Sequence, residues 1–326
     1  MIYPLLGFWL LSALILLYEQ KVGRIIIYFG IYSLITAAVL LLMAAPDVAM
    51  AEIAIGAFST IFFVIVAEKY YSLAYQTDLS QEDELRTEGS TNYKKESKFK
   101  NSVLPLVFVL MIFGLVLYFA PGNDPSTLLK EQYIDLFMIE MGGENAVTAI
   151  YLGYRVYDTI FEALVLVVAV VAVLHMSFYD RPMVSEGIHS DINRSGIAIF
   201  IIKIISPIIL LFGIYLIVNG FLTPGGGFQG GVAIATFFIC RYLIYNIFDL
   251  PIGKILRMEK LVFVSIVLFA IAGVFIGLVD HAPPYLMTFV QNFYLVILNA
   301  LIGIKVACGF TLLFYRYVSI ERLEAE

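Results

Sequence analysis

The sequence predicts an all-α integral membrane protein of about nine transmembrane helices, and three observations carry that expectation. The chain is 61% hydrophobic and 14% charged, whereas a soluble domain carries about 25% charged residues. Apolar runs near the length of a membrane span recur about nine times. Lysine and arginine concentrate on one alternate set of the loops between those runs. The mean hydropathy of +0.92 agrees.

The opening stretch, MIYPLLGFWLLSALILLYEQK, has no basic n-region and no small-residue cleavage site, so it reads as a first span rather than a signal peptide. The expected spans are 2–18, 24–45, 47–67, 103–120, 147–175, 197–219, 229–248, 258–279 and 291–315. One set of loops and the tail hold sixteen lysines and arginines, from Lys21 and Arg24 to Arg316 and Arg322, and the opposite set holds only Lys130. That asymmetry predicts an outside N-terminus and an inside C-terminus. The net charge of −6 says little about partners, because the charges are not spread over one surface.

Two inside segments divide the chain into blocks. Residues 69–101 are charged and polar, acids first and lysines after, and too few for a buried core of their own. They read as a cytoplasmic linker between a three-helix block (1–68) and a two-helix block (102–175). Residues 176–196 form a shorter linker before a four-helix block (197–326). The outside segment 121–146 carries Leu128, Leu129, Tyr133, Leu136, Phe137 and Ile139, the pattern of an interfacial helix.

Charges inside spans are the candidate functional groups. The basic ones are Arg155, Lys203 and Lys305; the acidic ones are Glu52, Asp158 and Glu162. Each costs about 2.5–3.5 kcal/mol at a helix centre on the lenient insertion scale. In NAVTAIYLGYRVYDTIFE, steps of three and seven bring Arg155, Asp158 and Glu162 onto one helix face. That face must meet protein, water or an ion path, and the rest of the chain is expected to bury it. Arg155 can close on Asp158, so a packing ion pair is the competing reading. Glu162 is then left alone, and a lone carboxylate in a membrane must titrate or meet a cation.

Pro46–Asp47 reads as a helix start with Asp47 as its cap. Glu52 lies deeper, either as a translocation group or as a water-exposed carboxylate near the interface. Gly56 and Ala57 allow close helix approach. Lys203 lies near a helix end, where snorkelling to water is the plain alternative. Lys305 is about mid-span, where a lysine that gains and loses a proton suits a proton path. In NGFLTPGGGFQGGVAIATF, residues Pro224, Gly225, Gly226, Gly227, Gln229, Gly230 and Gly231 lack the lysine and hydroxyl residue of a phosphate loop. A tight or re-entrant turn with close backbone packing is the expected structure, with Gln229 bonding exposed carbonyls. His175, His189 and His281 read as surface residues. Cys240 and Cys308 form no metal or disulfide pattern. No haem, iron–sulfur or nucleotide motif is present, so no catalytic residue and no cofactor are expected in this chain.

PGGGFQGGVAIA resembles the signature of the B subunit (MnhB-like) of Mrp-type sodium/proton antiporters, and more closely the matching subunit of energy-converting membrane-bound hydrogenases and related ferredoxin-oxidising complexes. LNALIGIKVACGFTLLF continues that resemblance and places Lys305 on the family's lysine. AVTAIYLGYRVYDTIFEALVL resembles a small subunit, or the C-terminal part of the large antiporter subunit, with an Arg-x-x-Asp-Thr-x-x-Glu helix. DVAMAEIAIGAFSTIFFVIVAEK resembles a third small subunit, and faintly the third helix of the ND6-type subunit of respiratory complex I. Two departures stand out. Gly153 replaces the family's usual Asp, which removes one carboxylate, and Phe161 replaces the usual Gly before Glu162.

The resemblance implies one membrane subunit of a multi-subunit sodium/proton antiport module in a prokaryotic cytoplasmic membrane. Its expected partners are other antiporter-module subunits, hydrogenase or ferredoxin-oxidising subunits, and membrane lipid, with no nucleic acid. Na+ and H+ are the expected transported ions. Glu162, Asp158, Arg155, Lys305, Lys203 and Glu52 are the expected translocation residues. The alternative is a non-transporting scaffold that seals antiporter-like partners together.

Overall fold

The computed structural model describes residues 2–85, 128–176, 196–245, 252–277 and 284–319. Among them every regular element is helical: α1 (Ile2–Tyr18), α2 (Val22–Leu42), α3 (Pro46–Leu85), α4 (Leu128–Glu140), α5 (Ala146–Ala149), a π-helical turn (Ile150–Tyr154), α6 (Val156–Met176), α7 (Gly196–Asn219), α8 (Gly227–Tyr245), α9 (Ile252–Gly277) and α10 (Pro284–Ser319). The described residues hold five helices long and apolar enough to cross a membrane: Val22–Leu42, Pro46–Ala67, Val156–His175, Ile199–Asn219 and Met287–Arg316. The expected span at 103–120, the linker residues 86–101 and 177–195, His189 and His281 lie outside the described residues.

The chain forms two compact units, one of residues 1–69 with 136–326 and one of residues 70–135. In the second, 70–85 and 128–135 are helical. The helix expected to end at 67 runs on to Leu85, so the first part of the expected linker is helical. Tyr70–Leu85 contains no Gly or Pro to stop a helix.

In the larger unit, α1 and α2 pair through a three-residue joint. Trp9 Nε1 donates to Thr36 Oγ1 at 2.9 Å, and its ring stacks on Tyr32. At the joint, the Lys21 and Gln20 amides donate to Glu19 Oε1, and Arg24 lies 3.5 Å from Oε2. The Lys21 amide first, then the Gln20 amide and Arg24, hold the Glu19 carboxyl below its ordinary range. Helix α3 lies against α2, where Phe29 meets Phe63, and against α10, where Phe58 meets Phe310.

Helix α10 packs on α7, α8 and α9, α8 packs on α7, and α6 packs on α9 and α10. Val232, Ala235, Ile239, Ile266, Leu295, Leu298, Ile302 and Val306 build the centre of the core. Small residues permit this density. A Cβ on Gly230 would lie 2.5 Å from the Gly213 carbonyl, and one on Gly231 2.6 Å from the Gly303 carbonyl. Backbones therefore touch where α8 crosses α7 and α10. Within α7, Pro207 supplies no N–H to the carbonyl of Lys203 four residues back, which loosens the helix there.

Candidate functional site

Four residues of α5 and a π-helical turn precede the charged helix. Asn145 caps α5, its Oδ1 accepting from the Val147 and Thr148 amides. The backbone then widens: the Arg155 amide bonds to the Ile150 carbonyl five residues back, at 2.8 Å. The Tyr151 carbonyl accepts instead from Thr159 Oγ1 at 2.6 Å. This re-aims every side chain from Arg155 onward relative to a continuous α-helix. Gly153 lies in the turn, where a Cβ would meet Met141 Sδ at 2.4 Å. The thioether occupies the space that a carboxylate would need.

Beyond the turn, Arg155 and Asp158 form an ion pair, with side chains 63% and 55% exposed. Glu162 is also exposed. It has no hydrogen bond or ion pair among the described residues. The sequence led us to expect the chain itself to bury this face; instead the face lies on the outside of the larger unit, beside exposed Tyr157, Phe161 and Val165. The core needs the opposite face, where Leu152, Val156, Thr159, Ala163 and Val170 are buried.

The remaining candidates do not join them. Glu52 faces α2, where Ser33 Oγ donates to its Oε1 at 2.8 Å. That hydroxyl fills the place of a side chain at Gly56, since a Cβ there would lie 1.8 Å from Ser33 Oγ. Lys203 is exposed on α7. Lys305 is fully buried, and its Nζ donates to Glu259 Oε1 at 2.7 Å. Glu259 escaped the sequence reading. Its neighbours Arg257, Met258 and Lys260 in RMEKLVFV made it look like a loop edge, but α9 already begins at Ile252 and buries it completely. Glu259 therefore joins the three acidic groups expected within spans, and it is the one that meets Lys305.

The glycine-rich segment is a tight turn from Gly220 to Gly226 between α7 and α8. Gly225 and Gly226 have φ of 150° and 148°, and a Cβ on Gly226 would lie 2.3 Å from the Tyr151 hydroxyl. Gln229 was expected to satisfy the exposed carbonyls, but it makes no side-chain hydrogen bond among the described residues. Asn145 and Thr148 do that work, and Asn299 takes the amide at the start of α8. Asn145 Nδ2 donates to the Gly220 and Thr223 carbonyls at 3.1 and 3.0 Å. Thr148 Oγ1 donates to the Gly220 carbonyl at 2.6 Å. Asn299 Oδ1 accepts from the Gly227 amide at 3.0 Å and from the Tyr151 hydroxyl at 3.1 Å.

Asp47 is more than the cap that the sequence suggested. It is buried, and its Oδ1 accepts from Asn145 Nδ2 at 2.9 Å and from the Gly225 amide at 3.2 Å. A cap needs only its own helix's amides; this carboxylate joins the start of α3 to the start of α5 and to the glycine turn. The signal available in the sequence was an Asp, an Asn and a Gly run, each at a helix end.

Residues 197–320 match the family model described as a domain related to the MnhB subunit of Na+/H+ antiporter, and residues 7–71 match the MbhD model, which describes a subunit of MBH. The uncharacterized protein MJ1307 of Methanocaldococcus jannaschii is 31% identical over 194 residues, which cover 53% of this chain and 72% of that relative. The chain belongs to the family of membrane subunits of Mrp-type antiporter-like modules. An antiporter subunit named mnhA2 from Staphylococcus haemolyticus is 26% identical over 167 residues, covering 50% of this chain and 18% of that protein. The chain thus spans under a fifth of that longer relative.

Two solved structures share the fold of this multi-pass subunit. One is the Mrp complex from Dietzia sp. DQ12-45-1b, with a TM-score of 0.65 at 18% identity, covering 95% of this chain and 34% of that chain. The other is the membrane-bound sulfane sulfur reductase, an archaeal respiratory membrane complex, with a TM-score of 0.53 at 25% identity, covering 67% of this chain and 97% of that chain. Both are complexes, the second a membrane complex.

Proposed function

We propose that this subunit takes part in sodium/proton antiport in a prokaryotic cytoplasmic membrane, with Glu162 as its coupling carboxylate. The supporting observation is the position of Glu162. It lies on a membrane-spanning helix, on the outward face, with no partner among the described residues and just past a π-helical turn. A carboxylate there cannot rest against lipid. It meets a neighbouring subunit or an ion path, and both Na+ and H+ can neutralise it. Arg155 and Asp158 neutralise each other one and two turns earlier, which leaves Glu162 as the titrating member of the face. Lys203 and Glu52 join it as candidate relay groups on other faces. Any electron chemistry, of hydrogenase or ferredoxin-oxidising type, is supplied by partner subunits.

The scaffold reading draws on the Asp47–Asn145–Gly225 knot, which ties the three blocks of this chain together. One variant tests the coupling role. Glu162→Gln keeps size and hydrogen bonding but removes titration. In vesicles holding the assembled complex, the pH gradient formed on adding sodium should fall at least roughly tenfold, at unchanged complex content. Wild-type rates in Glu162→Gln vesicles would make this carboxylate only structural and place any coupling site elsewhere.

A further inference from the structure

Glu259 is the eighth residue of α9, about 10 Å along the helix from Ile252. Lys305 lies on α10, eleven residues before the end of its apolar stretch at Arg316. Both side chains have no exposure, and the contact is 2.7 Å. Lys305 Nζ also stands 6.0 Å from the centre of the Phe263 ring, one turn beyond Glu259. The same stretches of α9 and α10 give Val262, Ile266, Ile302 and Val306 to the apolar core.

The pair is incomplete as a structural device. Glu259 Oε2 is buried and has no hydrogen-bond partner among the described residues. Leaving such an atom unpaired costs about 1–3 kcal/mol, and apolar residues in place of a buried ion pair are often no less stable. The other unpaired buried side-chain atoms among the described residues, Asn299 Nδ2 and Thr311 Oγ1, lie on α10, six residues to either side of Lys305. Six residues turn a helix by about 600°, so these two atoms lie on other faces of α10 than Lys305, and Glu259 Oε2 is the unpaired atom at the pair itself.

We propose that Glu259 and Lys305 form a second, buried proton-exchange site within the block 197–320, with Glu259 as acceptor and Lys305 as donor. This rests on the antiport reading and adds a site that does not involve the Glu162 face. In the resting pair, a Lys305 ammonium faces a Glu259 carboxylate and the sum of charges is zero. A proton from a hydronium ion adds to Oε2 as Nζ gives one of its own to a water molecule on the exit side, leaving a carboxylic acid beside a neutral amine, still at zero. Transfer of the acid proton to Nζ restores the starting pair. One proton has passed, and no net charge was left in the apolar core, which is what burial of an unpaired ion would forbid.

Other charged and titratable groups surround the pair at a distance from its chemistry. Cys308, one turn along α10, interacts electrostatically with both members. Lys254, Arg257 and Lys260 are exposed on α9, and Arg316 is buried near the end of α10. Of the helices packed on these two, α8 contributes Cys240 and Arg241, α6 contributes Arg155, Asp158, Glu162 and His175, α7 contributes Lys203, and α3 contributes Glu52; all but Cys240 and Glu52 are exposed.

The test uses the assembled complex in vesicles, with Glu259→Gln and with Glu259→Leu combined with Lys305→Met. The paired apolar variant should assemble, because it leaves no unpaired charge, yet sodium-driven proton movement should fall at least roughly tenfold across the pH range. Glu259→Gln still accepts from Lys305. It should show the same loss, and should lack a carboxylic-acid C=O band that wild type gains in infrared difference spectra on acidification. Wild-type rates in the paired variant, or an unchanged infrared band in Glu259→Gln, would overturn the proposal. If the paired variant does not assemble, Glu259→Gln decides by the same two readings. A wild-type complex that exchanges no sodium for protons would sink the antiport reading, while the infrared comparison would still judge Glu259 itself.

Discussion

The Thr159 hydroxyl donates to the Tyr151 carbonyl, eight residues back along the chain, at 2.6 Å. No continuous α-helix brings those two groups together. The bond exists because the π-helical turn at Ile150–Tyr154 displaces the Arg155 amide onto Ile150 and leaves the Tyr151 carbonyl without it. Thr159 is the side chain that holds the turn open.

Thr159→Val keeps the volume and removes the donor. The Tyr151 carbonyl would be left unsatisfied at a cost of about 1–3 kcal/mol, or the turn would revert to α-helix and rotate Arg155, Asp158 and Glu162 by about 100°. Either result should lower sodium-dependent proton movement in the assembled complex. Thr159→Ser keeps the donor and should restore most of it. Equal transport in the valine and serine variants would show that the turn does not need this bond.

The outer knot should be sensitive at Asn145. Its side chain makes five hydrogen bonds, two at Oδ1 and three at Nδ2, one of them to Asp47. Asn145→Ala removes the cap of α5 and strands the buried Asp47 carboxylate with the Gly225 amide alone. A loss of about 2–4 kcal/mol is expected from the cap and the unpaired groups together. Thermal unfolding of the purified complex should drop clearly, and by more than for Gln229→Ala, whose side chain bonds to none of the described residues.

Much of this architecture was legible in the sequence. Long apolar runs gave α1, α2 and α6 through α10 because a membrane span must be apolar and about twenty residues long. The relation of Arg155 to Asp158 followed from helical spacing. Three things were not legible. The π-helical turn leaves no compositional mark in IYLGY. Glu259 falls at the charged edge of the expected span 258–279, and only the start of α9 at Ile252 carries it into the core. The outward direction of Glu162 depends on which face of α6 the other helices cover, which periodicity alone does not give, since that helix is apolar on most sides.

Gly226 and Gly230 should fail differently. A side chain on Gly226 meets the Tyr151 hydroxyl, 2.3 Å from an ideal Cβ, at a φ of 148° that suits glycine. Gly226→Ala should lower complex content, and adding Tyr151→Phe should recover part of it by removing the clashing oxygen; the backbone strain stays. Gly230→Val meets the Gly213 carbonyl, 2.5 Å away, and backbone cannot step aside. No change at Tyr151 should rescue it. Quantitative blotting of assembled complex in membranes separates the two cases.

The last prediction concerns the ion pair on the outward face. Arg155 and Asp158 neutralise each other on a surface that a lipid chain or a partner subunit covers. Asp158→Asn leaves an arginine with no counter-charge there, at a cost of up to about 2.5–3.5 kcal/mol if the face is dry. That would reduce assembly by roughly three-hundredfold at most; the pair's exposure on the isolated chain argues for a smaller loss. Arg155→Gln combined with Asp158→Asn removes both charges and keeps hydrogen-bonding groups. If the pair serves only to balance charge, the double variant should assemble far better than Asp158→Asn alone, a coupling that a double-mutant cycle measures directly. Transport at restored complex content then reports on Glu162 in isolation. Retained sodium-dependent proton movement would mean that Glu162 needs no arginine beside it. Loss of movement with full assembly would place the Arg155–Asp158 pair in the path as well.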